Sequence, residues 1–120
     1  MASLPRLSIV FSMSITYKSG VWRKVPPTGR GIVRVEHVAT GRFYLKACAC
    51  VRDEVVALFT GLKAGEHAHR LFKEMVKRDD EVLVTVLLVD EGAGLVEDLL
   101  TEILVHEKSR ERGRLLLTGR

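Results

Sequence analysis

The stretch GIVRVEHVATGRFYLKACACV, residues 31–51, decides the fold of this chain. Two runs rich in β-branched and aromatic residues, 31–38 and 42–51, are separated by Ala39, Thr40 and Gly41. Residues of these types favour strands, and a glycine in such a short connection favours a turn. The stretch therefore predicts a β-hairpin with Gly41 in its turn.

The hairpin is followed by an amphipathic segment that predicts a helix. Apolar residues recur at helical spacing over 52–63, and Asp53 and Glu54 at its start suit the positive end of the helix dipole. Gly65 is predicted to end this helix. The residues predicted to face inward are Val55, Val56, Leu58, Phe59 and Leu62.

Further elements are predicted after Gly65. Helical spacing predicts a second helix over about 66–78 and a third over about 95–108. The nearly continuous apolar run VLVTVLLV, residues 82–89, predicts a strand that is covered on both faces. The order ββααβα corresponds to an α+β fold, a small antiparallel sheet flanked by three helices.

The N-terminal residues 1–24 are predicted to form a basic extension with an extra strand. Ile9, Phe11, Met13 and Ile15 alternate with serines, which is the period of a half-buried strand. The segment is also acid-poor and serine-rich, as in organellar transit peptides, so an organelle stays open as a location. The sequence VPPTGR at 25–30 predicts a turn-rich connector to an α+β domain over 31–120.

Positive charge is concentrated at the two ends of the chain. Lys and Arg number 19 against 15 Asp and Glu, and no acidic residue precedes Glu36. We interpret this as a site for DNA or RNA, contacted through its backbone, with solvated surface charge as the alternative. No apolar run reaches the roughly 20 residues that cross a bilayer, so no membrane partner is expected. The predicted nucleic-acid-binding residues are Lys18, Trp22, Arg23, Lys24, Arg30, His67, Arg110, Arg112 and Arg114.

The stretch LKAGEHAHRLFKEM, residues 62–75, places a Gly-Glu-His turn before the second predicted helix. A zinc site, a phosphate site and a plain helix start all fit this turn. His67 and His69 would point about 200° apart on a helix, which disfavours a shared zinc ion. Cys48 and Cys50 are predicted to lie on one face of a strand, and the absence of a disulfide framework favours an intracellular, reducing compartment.

These elements, in this order, resemble the GIY-YIG nuclease domain over about residues 31–117. The first motif of that family falls on Gly31-Ile32-Val33, the second on Tyr44-Leu45-Lys46, and its Gly-x-His turn on Gly65-Glu66-His67. In that family a glutamate holds one divalent cation, while tyrosines and an arginine act at the scissile phosphate. For an active enzyme the resemblance implies Tyr44 and Arg52 as catalytic residues and Glu102 as the ligand of Mg²⁺ or Mn²⁺.

The chain departs from the family pattern at positions that carry the chemistry. The tyrosine of the first motif is Val33 and the glycine of the second is Lys46. The family arginine falls on Glu54, its histidine on Leu58 and its late asparagine on Leu117. A carboxylate in place of a cation reverses the interaction with a phosphate. The resemblance therefore implies a degenerate domain, for which no cofactor is expected.

Three functions follow as hypotheses. In the first, which we prefer, a degenerate GIY-YIG-like module binds nucleic acid or a nucleoprotein assembly through its basic extensions. In the second, the protein is an active metal-dependent endonuclease with a rearranged site built on Tyr44, Arg52 and Glu102. In the third, it is a structural subunit of a protein assembly that packs its N-terminal strand against a partner.

Overall fold

The computed structural model describes residues 9–66, 72, 74, 76–77 and 79–89. The strands are β1 (Ile9–Tyr17), β2 (Gly31–His37), β3 (Arg42–Cys48) and β4 (Val82–Val89), and the helix α1 spans Val51–Lys63. The strands form one antiparallel sheet in the order β1-β4-β2-β3. This confirms the α+β class and the small antiparallel sheet.

Much of the predicted helical layer lies outside the described residues. The third predicted helix, 95–108, lies there entirely, and of the second only Glu66, Phe72, Glu74, Val76 and Lys77 are described. The three-helix count and the ββααβα order therefore stay predictions. No helix in the described part is long and apolar enough to cross a membrane.

The predicted hairpin is present as β2 and β3, which pair from Gly31 opposite Cys48 to His37 opposite Arg42. The Gly41 N–H donates to the His37 carbonyl at 2.8 Å and closes the turn. The predicted second strand, 42–51, was three residues too long, because the buried Val51 already opens α1. Cys50 consequently precedes the helix and does not share a strand with Cys48, and both thiols are free.

The predicted N-terminal strand is also confirmed, as an edge strand of the same sheet. β1 pairs with β4 in a register that places Ile15 opposite Val84 and Tyr17 opposite Val82. Ile15 and Tyr17 are buried toward α1, whereas the alternate residues Ser12, Ser14 and Thr16 are exposed on the other face. Residues 25–30, the predicted connector, form neither helix nor strand.

Helix α1 covers one face of the sheet through a stripe at helical spacing. Its buried residues are Val51, Val55, Leu58 and Phe59, and Leu62 packs at the edge of the core. Val56 was wrongly predicted to face inward, because it lies beside this stripe and is 38% exposed. The opposite face buries Ile32, Phe43 and Leu45 of the hairpin, but Leu83 and Leu87 of β4 only in part.

Candidate functional site

Among the described residues, the positions predicted from sequence to depart from the GIY-YIG pattern lie in β2, β3 and α1, on the face of the sheet that α1 covers. Val33 and Lys46 are cross-strand partners in β2 and β3, and Glu54 lies in α1. The Lys46 Nζ donates to the Glu54 Oε2 at 3.0 Å, and the two side chains are 30% and 26% exposed. The Glu54 carboxylate is therefore neutralised by the Lys46 ammonium. From sequence these were predicted as the positions of the family arginine and of the family glycine.

Tyr44 is enclosed in the same region. Its side chain is 3% exposed and meets Phe72 edge-on, with the ring centroids 5.3 Å apart. Burial raises the pKa of the Tyr44 hydroxyl well above its usual range, and the Glu54 carboxylate raises it further. The raised pKa favours the protonated hydroxyl, which is a poorer base than the phenolate.

Cys48 is the other chemically reactive group in this region, and its pKa is also raised. Burial raises the pKa of the Cys48 thiol to about 12, and the Glu54 carboxylate acts in the same direction. The thiolate is the form that attacks electrophiles and binds metals. The raised pKa therefore reduces the fraction of reactive thiolate at neutral pH.

The described residues of this region do not fit a divalent cation. Val33 and Leu58 offer no ligand atom, and the Glu54 carboxylate already accepts from Lys46. No group of three or more His, Cys, Asp or Glu among the described residues is arranged to hold a metal. Glu102, the predicted ligand, lies outside the described residues, as does Leu117.

Arg52, the predicted substitute for the family arginine, lies on the solvent side of α1. It is exposed and lines a cavity with Val56 and Thr60 of the same helix. Tyr44 lies under α1, on the sheet. The structure thus places Arg52 and Tyr44 on different sides of the helix and does not bring them together.

Gly31, the first glycine of the motif, has a packing role. A Cβ at this position would collide with the Leu87 carbonyl of β4 and press on the Val51 side chain. Only glycine allows the two strands and the start of α1 to approach this closely. This motif residue is thus required by the sheet geometry itself.

A second candidate region lies at the outer edge of β1, where a tight turn reverses the chain. Ser19 and Gly20 have φ values of 51° and 80°, as in a type I′ turn. Lys18 and Val21 exchange both backbone hydrogen bonds, at 3.0 and 2.9 Å. Residues 22–28 then form neither helix nor strand, so the chain moves away from β1 after one pair.

A cavity of about 340 Å³ lies where the chain separates from β1, and we call it the basic groove. Lys18, Arg23 and Lys24 are exposed along it, and none forms a salt bridge with a described residue. Positive charge that is not neutralised locally attracts an anionic partner. The full lining is Ser14, Ile15, Thr16, Lys18, Val21, Trp22, Arg23 and Lys24.

Trp22 connects the basic groove to the core. Its ring centroid lies 5.2 Å from that of Phe59 and 6.1 Å from that of Tyr17, and the side chain is half-buried. Aromatic rings at these distances add to the packing energy. Trp22 therefore anchors the segment that carries Arg23 and Lys24, and base stacking on its indole stays a prediction.

The remaining predicted binding residues lie elsewhere. Arg30 is half-buried beside β4, where its carbonyl accepts from the Val89 N–H at 3.0 Å. His67 and the arginines Arg110, Arg112 and Arg114 lie outside the described residues. The structure thus brings together Lys18, Trp22, Arg23 and Lys24.

A buried polar network was missed by the sequence reasoning. The His37 side chain is buried, with its Nε2 2.6 Å from the Asp80 Oδ2 and its Nδ1 2.9 Å from the Thr40 hydroxyl. The Asp80 carboxylate also accepts a hydrogen bond from the Lys77 N–H at 3.0 Å. This hydrogen bond is the main cause that lowers the pKa of Asp80, and the hydrogen bond with His37 is the second. The network ties the hairpin turn to the start of β4, and no local pattern could have predicted it.

Comparison with known proteins does not assign this chain to a family. No protein-family model, curated protein or solved structure matches it. What the protein does must be argued from the geometry of its own residues.

Proposed function

We propose that this protein is a non-catalytic module that binds the backbone of nucleic acid through the basic groove. The fold is, in this proposal, a GIY-YIG-like domain whose catalytic positions have been replaced. The observation that carries the binding proposal is the convergence of Lys18, Arg23 and Lys24 on one cavity without carboxylate partners among the described residues.

The chemistry of the basic groove suits phosphates more than bases. Lys and Arg side chains provide charge, and Thr16 beside them provides a hydroxyl that donates to phosphate oxygens. Such contacts fix a strand in place and do not read its sequence. Binding is therefore expected to be sequence-independent, with a Kd on the order of 10⁻⁴ to 10⁻⁶ M at physiological salt.

The region around Tyr44 supports the non-catalytic part of the proposal. Hydrolysis of a phosphodiester needs a group that activates water and a cation that stabilises the developing negative charge. Tyr44 is buried and protonated, and the lysine and glutamate beside it neutralise each other. The described residues of this region thus offer neither a free base nor a free cation.

The experiment that tests the proposal is a titration of labelled single- and double-stranded DNA and RNA followed by fluorescence anisotropy. It compares the wild type with a groove variant, Lys18→Ala/Arg23→Ala/Lys24→Ala. The control, Arg42→Ala/Arg52→Ala/Lys77→Ala, removes the same charge from exposed positions away from the groove. Binding is expected to be lost in the groove variant and largely kept in the control.

Salt dependence gives the experiment a second readout. Three neutralised phosphates correspond to a slope of log K against log salt of about −2 for a single strand, which the groove variant should lose. Equal losses in both variants would mean that net charge alone attracts the probe. No binding by the wild type would favour the structural-subunit hypothesis.

The endonuclease hypothesis is tested in the same titration by adding Mg²⁺ or Mn²⁺. The proposal expects intact oligonucleotides after prolonged incubation. Cleavage that depends on the metal and disappears in Glu102→Ala would contradict the non-catalytic proposal and support the endonuclease hypothesis.

A further inference from the structure

We infer that the outer edge of β1 accepts an acidic, extended peptide segment as an additional strand, seated in the basic groove. The inference starts from the direction of the backbone groups. Lys18 exchanges both of its backbone hydrogen bonds with Val21, so its N–H and C=O point away from β4. Backbone groups alternate in direction along a strand, so those of Thr16 and Ser14 point the same way as those of Lys18.

The outward backbone groups of Ser14 and Thr16 have no hydrogen-bond partner in the described structure. If the turn continued as a hairpin, Thr16 would pair with Arg23, by extension of the pair of Lys18 with Val21. The chain leaves after Val21, and no backbone hydrogen bond joins Thr16 or Ser14 to the segment 22–28. The basic groove thus exposes donors and acceptors in the alternation that a peptide backbone complements.

Charge selects the kind of strand that can dock. Natural edge strands are protected against unwanted pairing by charged side chains, bulges or covering segments. Among the described residues, the charged ones that line the basic groove are Lys18, Arg23 and Lys24, which repel a cationic segment and attract an acidic one. Val10 and Phe11, 61% and 43% exposed, extend the same strand with apolar surface. An acidic segment that ends in an apolar residue fits this edge.

The inference goes beyond the proposed function, because the peptide would use the same cations and would displace nucleic acid. The two differ in the groups they need. Phosphates accept hydrogen bonds and need the cations, whereas an added strand also needs the backbone N–H and C=O groups of β1. Removing a backbone N–H without changing the charge should therefore weaken peptide binding and leave nucleic-acid binding unchanged.

The test uses a fluorescein-labelled decapeptide of alternating threonine and glutamate. Its controls are the same peptide with lysine for glutamate, and the acidic peptide N-methylated at every residue, which keeps its charge and leaves no backbone N–H on either edge to pair. The wild-type protein is expected to bind the acidic peptide only. N-methylation should weaken binding by about tenfold or more, as expected for the loss of several backbone hydrogen bonds.

A protein variant probes the other side of the contact. Ser14→Pro removes an outward N–H and leaves the pairing with β4 intact, as proline is tolerated at a sheet edge; Ser14→Ala is the matched control. Peptide binding should fall by about tenfold in Ser14→Pro and stay unchanged in Ser14→Ala. Thermal unfolding of both variants verifies the fold, and the N-methylated peptide tests the inference on the unaltered protein.

The outcomes separate this inference from the proposed function. Oligonucleotide binding that survives Ser14→Pro, together with loss of peptide binding, supports both. Peptide binding without any oligonucleotide binding would contradict the proposed function but would still support a strand-binding site at the edge of β1. Equal binding of the acidic peptide and its N-methylated form, or no binding of either, overturns the inference.

Discussion

Two regions of this molecule carry charged residues beside a sheet edge, and they differ in whether those charges are satisfied. Around Tyr44, Lys46 and Glu54 pair at 3.0 Å and are partly buried. At the outer edge of β1, Lys18, Arg23 and Lys24 are exposed and form no salt bridge with described residues. The first region resembles a catalytic site in sequence, but the second has the physical properties of a binding site.

The comparison shows that a motif position and a functional site are different things. A site needs groups that can exchange partners with a ligand, and groups that are already paired and buried must first give up those contacts. The hydroxyl of Tyr44 is kept from the family pattern, yet its burial removes it from such exchange. The groove cations match no motif, yet they are accessible.

The largest predicted effect comes from a core residue of α1 that packs beneath the segment leading into the basic groove. Phe59 of α1 is fully buried and contacts both Tyr17, at 5.1 Å between centroids, and Trp22. Phe59→Ala should lower the free energy of unfolding by about 3–5 kcal/mol, because it leaves a cavity under the groove segment. Urea denaturation measures this.

Val56→Ala is the control for Phe59→Ala, because Val56 lies on the solvent side of the same helix. Its effect should stay within about 0.5 kcal/mol. Similar losses in the two variants would mean that α1 does not pack on the sheet through the face described.

The next prediction concerns the pair Lys46–Glu54. Lys46→Met and Glu54→Gln should each destabilise the protein by about 1 kcal/mol, because each leaves a partly buried charge without its partner. The double variant should cost little more than either single one. Thermal or urea unfolding of the four proteins gives the coupling energy.

A charge-reversed variant, Lys46→Glu/Glu54→Lys, is the matched control for this pair. It should recover most of the stability lost in the single variants. Additive losses in the double variant would show that the ion pair is not formed, and the contrast between a satisfied and an unsatisfied region would then fail.

A smaller effect is expected at Asp80, whose charge is satisfied by backbone and His37 hydrogen bonds. Folding lowers the pKa of the Asp80 carboxyl. The ionised carboxylate therefore stabilises the protein at pH values above its unfolded pKa of about 3.9. This stabilisation is lost as the pH falls through the lower pKa of the folded state. The difference in the free energy of unfolding between the wild type and Asp80→Asn should therefore decrease between about pH 5 and pH 3.

Unfolding by urea across this pH range measures this difference for Asp80→Asn. A difference that stays constant down to pH 3 would contradict the proposed hydrogen bonds.

The strands of this protein could be predicted from its sequence because their patterns are local. Alternation in β1, the glycine turn of the hairpin and the apolar run of β4 each depend on neighbouring residues, and the structure has all of these strands. The errors occurred where local patterns overlap. At Cys50 and Val51 a β-branched run continues into the first turn of α1, so propensity alone could not place the boundary.

The candidate sites were less predictable because they depend on contacts between distant segments. That Lys46 faces Glu54, or that His37 meets Asp80 43 residues later, is set by strand register and by packing. The clustering of Lys18, Arg23 and Lys24 was visible as local composition. Their arrangement around an unpaired strand edge was not visible, because it depends on where the chain leaves β1.

The last prediction concerns the reactivity of Cys48, which reports on the accessibility of the region around Tyr44. With its pKa raised to about 12, about one Cys48 thiol in ten thousand is ionised at pH 8. In a Cys50→Ala background, alkylation by iodoacetamide at pH 8 should therefore be at least about a hundredfold slower in the folded protein than in urea. Adding Glu54→Gln should accelerate it, since this removes a negative charge that raises the pKa of Cys48. Peptide mapping by mass spectrometry measures both rates, and rapid alkylation of the folded protein would show that this region is as open as the basic groove.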